Sequence, residues 1–179
     1  MKHLVLILMI CSWCTAFAYD VMCENIYFNL NKEDQTATVT YRKIVPGKAR
    51  TEYSEDVDIP ETIMVKGVEY LVTAIGDSAF FGCDDIDNVT VPRSISHIGK
   101  SAFEDFNCKY GESHFYGGWC VVSIGERAFA NSSIRIGYMG HEVTRIGKEA
   151  FLNSMIVGFI TNEWLTDIGE DAFKGCEKL

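Results

Sequence analysis

One six-residue pattern constrains this chain more than any other feature. The segment IGDSAF at Ile75 returns as IGKSAF at Ile98, IGERAF at Ile124, IGKEAF at Ile146 and IGEDAF at Ile168, at steps of 23, 26, 22 and 22 residues. A fixed period near 22 residues with a conserved apolar skeleton is the signature of stacked coils, each of which buries its apolar face only against the next. A short β-branched lead precedes most copies, as in Val72-Thr73, Ile95-Ser96, Val143-Thr144 and Leu165-Thr166. The unit therefore reads as a strand, a glycine turn and a helical turn. The isoleucine faces inward, the glycine lets the strand turn sharply, the alanine lets coils approach, and the phenylalanine fills the interior. Phe80, Phe103, Phe129, Phe151 and Phe173 are expected to form one ladder, each buried ring contributing roughly 1.5 to 3 kcal/mol.

The residue after the glycine runs Asp77, Lys100, Glu126, Lys148, Glu170, so its charge alternates down the stack. With coils about 5 Å apart, opposite charges face each other and favour the correct register. Exposed pairs contribute only about 0 to 1 kcal/mol each, so this column tunes the stack without holding it together.

The repeat that opens with Ile75 adds a run ending in Val89-Thr-Val91-Pro92, followed by Ser94-Ile95. Together with the IG-x-x-AF cores and Cys83, it resembles the BspA-like family of leucine-rich repeats. The resemblance covers residues 57 to 179, counting residues 57 to 71 as a partial repeat whose return strand is delayed by the hairpin IMVKGVEYLV. It implies a β-rich α/β solenoid, a leucine-rich-repeat stack of short strands with one helical turn per repeat. Further repeats start near residues 72, 95, 121, 143 and 165, the last one incomplete. Residues 19 to 56, with IYFNL and TATVTYR flanking the polar turn NKEDQ, read as an N-terminal β-hairpin cap over the first coil. Proteins of this family are mostly exported or surface-exposed in host-associated bacteria and mucosal parasites. The resemblance implies adhesion to host matrix proteins or to other cells, and no enzymatic activity.

Residues 1 to 18 carry a short basic start, an apolar run and Ala16-Phe17-Ala18 before Tyr19, the pattern of a cleaved signal peptide. A membrane anchor is disfavoured because the apolar run falls short of the roughly 20 residues a span requires. Ile10 and Trp13 precede Cys11 and Cys14 where a lipid-attachment site needs small residues. The expected product is secreted or held at the cell surface, without membrane insertion. Loss of the leader removes Lys2 and no acid, giving 15 bases against 25 acids and a net charge of −10. That sign argues against nucleic acid as a partner. Five cysteines remain, an odd number, so a dense disulfide framework does not organise the fold.

The stretch NCKYGESHFYGGWC, residues 107 to 120, is the variable half of the 26-residue repeat. Aligned back from Val121, Phe115 takes the place of Val89 and Gly118 that of Pro92, so the surplus falls in residues 107 to 112. Cys108, His114 and Cys120 lack the close ligand pairs of a zinc site and have no evident fourth ligand. No third residue orients His97 or His114 as a base for the Cys108 thiol. Cys108 and Cys120 either close the loop as a disulfide or remain as two buried thiols. Cys83 and Cys176 share a repeat position with Ser132 and Ser154 and read as small core fillers. Tyr110, Tyr116 and Trp119 are the candidate ligand-binding residues, because exposed aromatic rings beside glycines make good anchors. The competing reading makes Trp119 a cover for the longer turn.

Other features carry less. Asp84, Asp85 and Asp87 lack the glycine and bidentate glutamate of a calcium loop. Asn88-Val-Thr90 and Asn131-Ser-Ser133 fit the glycosylation acceptor pattern. No cofactor motif is visible. Repeats three and four lack the V-x-I-P run, and a 22-residue spacing would set Ile134 on Ile156 and Tyr138 on Ile160, whereas a one-residue shift would bury Phe159. After FKGCEKL no polar cap follows, so the last coil is expected either to be covered by a partner or to mark a shortened member of a longer family. The leading functional reading is a non-enzymatic, adhesin-like binder of a host protein or glycan, such as an extracellular-matrix component. The alternative is an assembly component that docks through its C-terminal edge.

Overall fold

The computed structural model describes residues 19–42, 53–107, 114–160 and 162–179. The expected leader, residues 1–18, lies outside the described residues. The chain opens with an antiparallel meander, β1 (Val21–Cys23), β2 (Ile26–Asn31) and β3 (Thr36–Thr40). β4 (Glu55–Asp58) is followed by a hairpin of β5 (Thr62–Val65) and β6 (Val68–Ile75). Its two-residue turn places Lys66 and Gly67 at φ 51° and 82°, both left-handed as the twist of a tight hairpin favours. From there short strands alternate between two sides of the coil: β7 (Ile86–Val91), β8 (His97–Ile98), β9 (His114–Gly117), β10 (Ser123–Ile124), β11 (Arg135–Ile136), β12 (Tyr138–Met139), β13 (Arg145–Ile146), β14 (Gly158–Phe159) and β15 (Asp167–Ile168).

The larger sheet runs β1-β2-β3-β6-β8-β10-β13-β15, with β5 also paired to β6. From β3 onward its ladder is parallel, and Val39, Ile75, Ile98, Ile124, Ile146 and Ile168 occupy one register position. The cap hairpin thus joins the stack by adding strands to this sheet. The second sheet, β4-β7-β9-β11, lies on the other side of the coil, and β12 pairs with β14 alone. Between the two sides runs one continuous core. The rings of Phe80, Phe103, Phe129, Phe151 and Phe173 stack at 4.9, 5.0, 5.3 and 5.1 Å, with interplanar angles between 1° and 13°. Tyr53 continues the column toward the N-terminus, 4.8 Å from Phe80.

The helical turn expected in each repeat is a correction: among the described residues there is no helix. A helix satisfies its amides internally, whereas here alternate amides leave the coil. Ser78, Phe80 and Gly82 donate to the carbonyls of Lys100, Ala102 and Glu104 at 2.7 to 2.9 Å, and the same three positions repeat this at each later junction. The backbone reaches that geometry by placing two residues per repeat in the left-handed region. One is the fourth residue of each core, Ser78, Ser101, Arg127, Glu149 and Asp171, at φ 54° to 56°. The other stands two residues after the phenylalanine, at Gly82, Asp105, Asn131, Asn153 and Gly175. These last are the residue types that tolerate this conformation best.

The repeat glycines serve closeness more than turning, because those at 99, 125, 147 and 169 do not sit at left-handed φ. A Cβ on Gly125 would lie 2.6 Å from the Lys100 amide nitrogen, and one on Gly147 2.4 Å from that of Glu126. On the outer surface, the alternating column closes as two ion pairs, Lys100–Glu126 at 3.0 Å and Lys148–Glu170 at 2.9 Å. A less exposed pairing centres on Arg127, which donates to Glu104 at 2.7 Å and to Glu149. The Glu104 hydrogen bond, ahead of the opposing effect of burial, raises its pKa above the ordinary value.

In repeats three and four, Tyr138 pairs with Gly158 and Met139 with Phe159, so the setting of Tyr138 on Ile160 is corrected by two residues. The shift precedes Gly137: the Ile136 carbonyl already accepts from the Val157 amide in the same register as Met139 from Ile160, whereas Ser132 accepts from Met155, so the difference is taken up between Ser132 and Ile136. Phe159 is half-buried, edge-on to Phe151 and Phe173 at 6.1 and 5.4 Å.

Candidate ligand-binding surface

The longest repeat carries the most exposed aromatic surface of its sheet. β9 pairs in parallel with β7, setting Asn88 against His114, Val89 against Phe115 and Thr90 against Tyr116. Strand alternation then decides which rings are buried. Phe115 turns inward, 6% exposed, and meets Phe103 and Phe129 edge-on at 5.6 Å each. That anchor forces its neighbour outward, and Tyr116 is 53% exposed. The ring of His114 stacks against it at 5.6 Å and 17°.

Gly117 and Gly118 follow at φ 105° and 71°. A Cβ on Gly117 would fall 2.1 Å from the Val91 carbonyl oxygen, and one on Gly118 2.8 Å from the Phe115 ring. The glycine pair lets the chain turn against β7 and brings Trp119 to the surface, 50% exposed. The Arg93 guanidinium, one coil earlier, lies 5.5 Å from the Trp119 ring centre, within cation–π range.

Polar groups flank the rings. The Asn88 Nδ2 donates to Asp56 Oδ1 at 2.8 Å, and its Oδ1 accepts from the His114 amide at 3.2 Å. Arg135 on β11 is the register partner of His114. Two exposed rings, a guanidinium, an amide and a hydroxyl at Thr90 form a surface suited to polar ligands with apolar faces. Of the residues singled out in the sequence, Tyr116 and Trp119 stand here; Tyr110 and Cys108 lie outside the described residues. Cys120 is half-buried with a free thiol. Arg93 and Arg135 are not among the residues the sequence singles out, and Asn88 is marked there only as a glycosylation acceptor, although the V-x-V alternation around Thr90 sets it outward.

Elsewhere the chemistry is sparse. A cavity of about 380 Å³ lies between the β1–β2 turn and β4, lined by Glu24, Asn25, Tyr27, Tyr53 and Glu55 among others. Nearby, burial first and the Glu24 carboxylate second raise the pKa of the Cys23 thiol, which moves it away from a reactive thiolate. Among the described residues no three His, Cys, Asp or Glu side chains are grouped to hold a metal ion, and no helix is long and apolar enough to cross a membrane.

A family model described as BspA type leucine-rich repeat region matches residues 57–179 in six copies. Among solved structures, a leucine-rich repeat protein from Bacteroides ovatus is similar with a TM-score of 0.71 and 29% identity, over 90% of this chain. This chain spans 40% of the length of that protein. A second leucine-rich repeat protein, from Bacteroides capillosus, has a TM-score of 0.56 at 25% identity, covering 79% of this chain and 97% of its own. A leucine-rich cell surface protein from Faecalibacterium prausnitzii shares the fold at 19% identity and a TM-score of 0.53, over 89% of this chain and 52% of its own. No curated protein matches significantly.

Proposed function

Because the chain belongs to the BspA-type leucine-rich repeat family, we propose that it is an exported, non-catalytic, adhesin-like protein that presents its repeat surface to a host protein or glycan. The observation that carries this reading is the exposure of Tyr116 and Trp119, about half their surface each, the first on a strand fixed from beneath by buried Phe115 and the second in the glycine turn that follows it. A rigid strand holding amphipathic rings in water binds at low ordering cost, since the rings are already in place. Export rests on the leader pattern of residues 1–18 and on the description of the Faecalibacterium neighbour as a cell surface protein. Intact-mass measurement of secreted material is expected to give a chain beginning at Tyr19; a retained leader or a lipidated cysteine would remove the export reading.

The binding reading is tested with Tyr116→Ser and Trp119→Ala. Both side chains are half in solvent, so each variant is expected to melt within a few degrees of the parent, a shift of about 1 kcal/mol or less. Capture on immobilised matrix proteins and on a glycan array is expected to drop about ten-fold or more. Variants that melt much lower while still capturing ligand would make the rings a structural cover for the turn.

A further inference from the structure

Most positive charge on the repeats is answered within the molecule. Lys100, Arg127, Arg145, Lys148 and Lys174 each pair with a carboxylate. Between Ile75 and Lys174, Arg93 and Arg135 are the two described cations with no carboxylate partner among the described residues, and both are exposed. The chain holds 25 acids against 16 bases, so acids are not scarce. Both unpaired guanidiniums stand at the aromatic surface. Arg93 lies 5.5 Å from the Trp119 ring centre. Arg135 is the register partner of His114, whose ring stacks on Tyr116 at 5.6 Å. They therefore bracket a path over His114, Tyr116 and Trp119, five residues of chain that span at most about 18 Å. The coils that carry this path have a neighbour on each side, since β8, β10 and β13 each pair both before and after.

We infer that this surface binds an anionic oligosaccharide, with sugar faces on the rings of Tyr116 and Trp119 and carboxylate or sulfate groups on Arg93 and Arg135. The inference rests on the reading of those two rings as a ligand surface and names the class of ligand. A pyranose presents an apolar C–H face with polar groups at its rim, which suits an exposed ring with a wet edge. A planar guanidinium meets a carboxylate or sulfate with paired N–H donors. The acids of this sheet stand on β4, beyond β7 from β9, and at Asp87, which precedes the residues paired with β9. Asp56 on β4 already accepts from the Asn88 amide. Acids farther off are screened over about 8 Å at physiological salt, whereas contact pairs keep most of their attraction.

An acidic peptide offers the same charges but finds none of the usual supports for a peptide here. β9 is flanked by β7 and β11, so it has no free edge for an added strand. Phe115 fills the space beneath Tyr116. On the β11 side of Tyr116 comes Gly137, directly after the Ile136 that pairs with Phe115, and a Cβ there would meet nothing within 4 Å. The ring is thus bordered by a bare, shallow strip. A flat sugar unit lies on such a strip, whereas a helix needs a groove.

The probes are a hyaluronan octasaccharide, with carboxylates alone, a chondroitin sulfate octasaccharide, with carboxylates and sulfates, and neutral chitohexaose, each titrated into the full chain by calorimetry. Saturable binding of both anionic probes assigns the carboxylate as the anchor, and of the sulfated one alone the sulfate; either supports the inference. Chitohexaose is expected to bind about ten-fold or more weaker. Arg93→Gln and Arg135→Gln are each expected to weaken anionic binding about three-fold or more without moving the melting temperature, and the loss is expected to shrink in salt. Arg135→Lys, which keeps the charge, is expected to recover most of it. The inference is overturned if neither anionic probe saturates, if chitohexaose binds as tightly, or if both glutamine variants bind the anionic probes like the parent. Tighter binding of an octaglutamate peptide or a thymidine octanucleotide than of either sugar overturns it too. Capture of matrix proteins that still depends on Tyr116 and Trp119 leaves the broader reading standing in each of those cases. Anionic binding indifferent to Tyr116→Ser and Trp119→Ala overturns both.

Discussion

A ring in the middle of a stacked column loses two partners when removed, and a ring at the end loses one. Phe129 lies 5.0 Å from Phe103 and 5.3 Å from Phe151, both nearly parallel, with Phe115 edge-on at 5.6 Å. It is fully buried, and coils tied by backbone bonds on both sides cannot close the hole. Phe129→Ala is therefore expected to cost about 3 to 5 kcal/mol in denaturant or thermal melts. Phe173 stacks on Phe151 alone, with Phe159 at its edge, and is only half-buried. Phe173→Ala is expected to cost less than half as much, and equal losses would contradict the column as the main source of stability. Arg127 works differently, since its neighbours in the repeat column are Ser101 and Glu149. It alone among the core fourth positions bridges two carboxylates, those of Glu104 and Glu149, within the described residues. No repeat pattern announces it, because the pattern there is one of variation.

The turn ladder is the element in which local preference and actual structure part. Segments such as GKEAFLN are rich in alanine, lysine, glutamate and leucine, all good helix formers, and by propensity they read as a helical turn. The bonds that win are non-local, from amides of one coil to carbonyls 21 or more residues away, and local propensity carries no trace of them. Half of the signal was nevertheless present: the series Gly82, Asp105, Asn131, Asn153, Gly175 consists of residues that accept left-handed φ. The fourth core position, with Ser78, Arg127 and Glu149, gave no such hint. The isoleucine and phenylalanine ladders were legible because identity recurs at the repeat period, and Tyr116 because alternation from Phe115 fixes its side. Arg93 reaches Trp119 only through stacking, so one-dimensional proximity hides it. At Asn131, φ is 54° and the side-chain amide donates to Asp105 at 3.0 Å while its oxygen accepts from Asn153 at 3.1 Å. Asn131→Val is expected to cost about 2 to 4 kcal/mol, combining left-handed strain with the lost bonds. Asn131→Gly keeps the backbone at ease and is expected to cost about 1 kcal/mol. Equal melts for the two variants would mean that the strain is relieved by a rearranged turn.

At the scale of the whole molecule, stability is a sum of coil-to-coil junctions, because each coil touches only its neighbours. The two ends are finished differently. Toward the N-terminus, β3 pairs with β6 while Tyr27 and Tyr53 extend the ring column, with centroids 5.7 Å apart and Tyr53 4.8 Å from Phe80. The Tyr53 hydroxyl donates to the Thr40 carbonyl and accepts from the Tyr27 amide, tying the cap strands to a ring that stacks on the first coil at Phe80. At the other end, Ile168 and Leu179 are exposed and Phe173 is covered on one face. In a polypeptide of residues 19–179 the coil of Phe173 is held by one junction only and is expected to be lost first, each loss exposing the next ring of the column. Native-state amide exchange is therefore expected to be slowest at the junctions around Phe103 and Phe129 and fastest at the last one, at Gly169 together with Glu149, Phe151 and Asn153. Gly147, one junction earlier, should be intermediate, since each step breaks one junction. Uniform protection from Gly99 to Gly169 would show that the stack opens in one cooperative step and that the coil of Phe173 is held no more weakly than the middle.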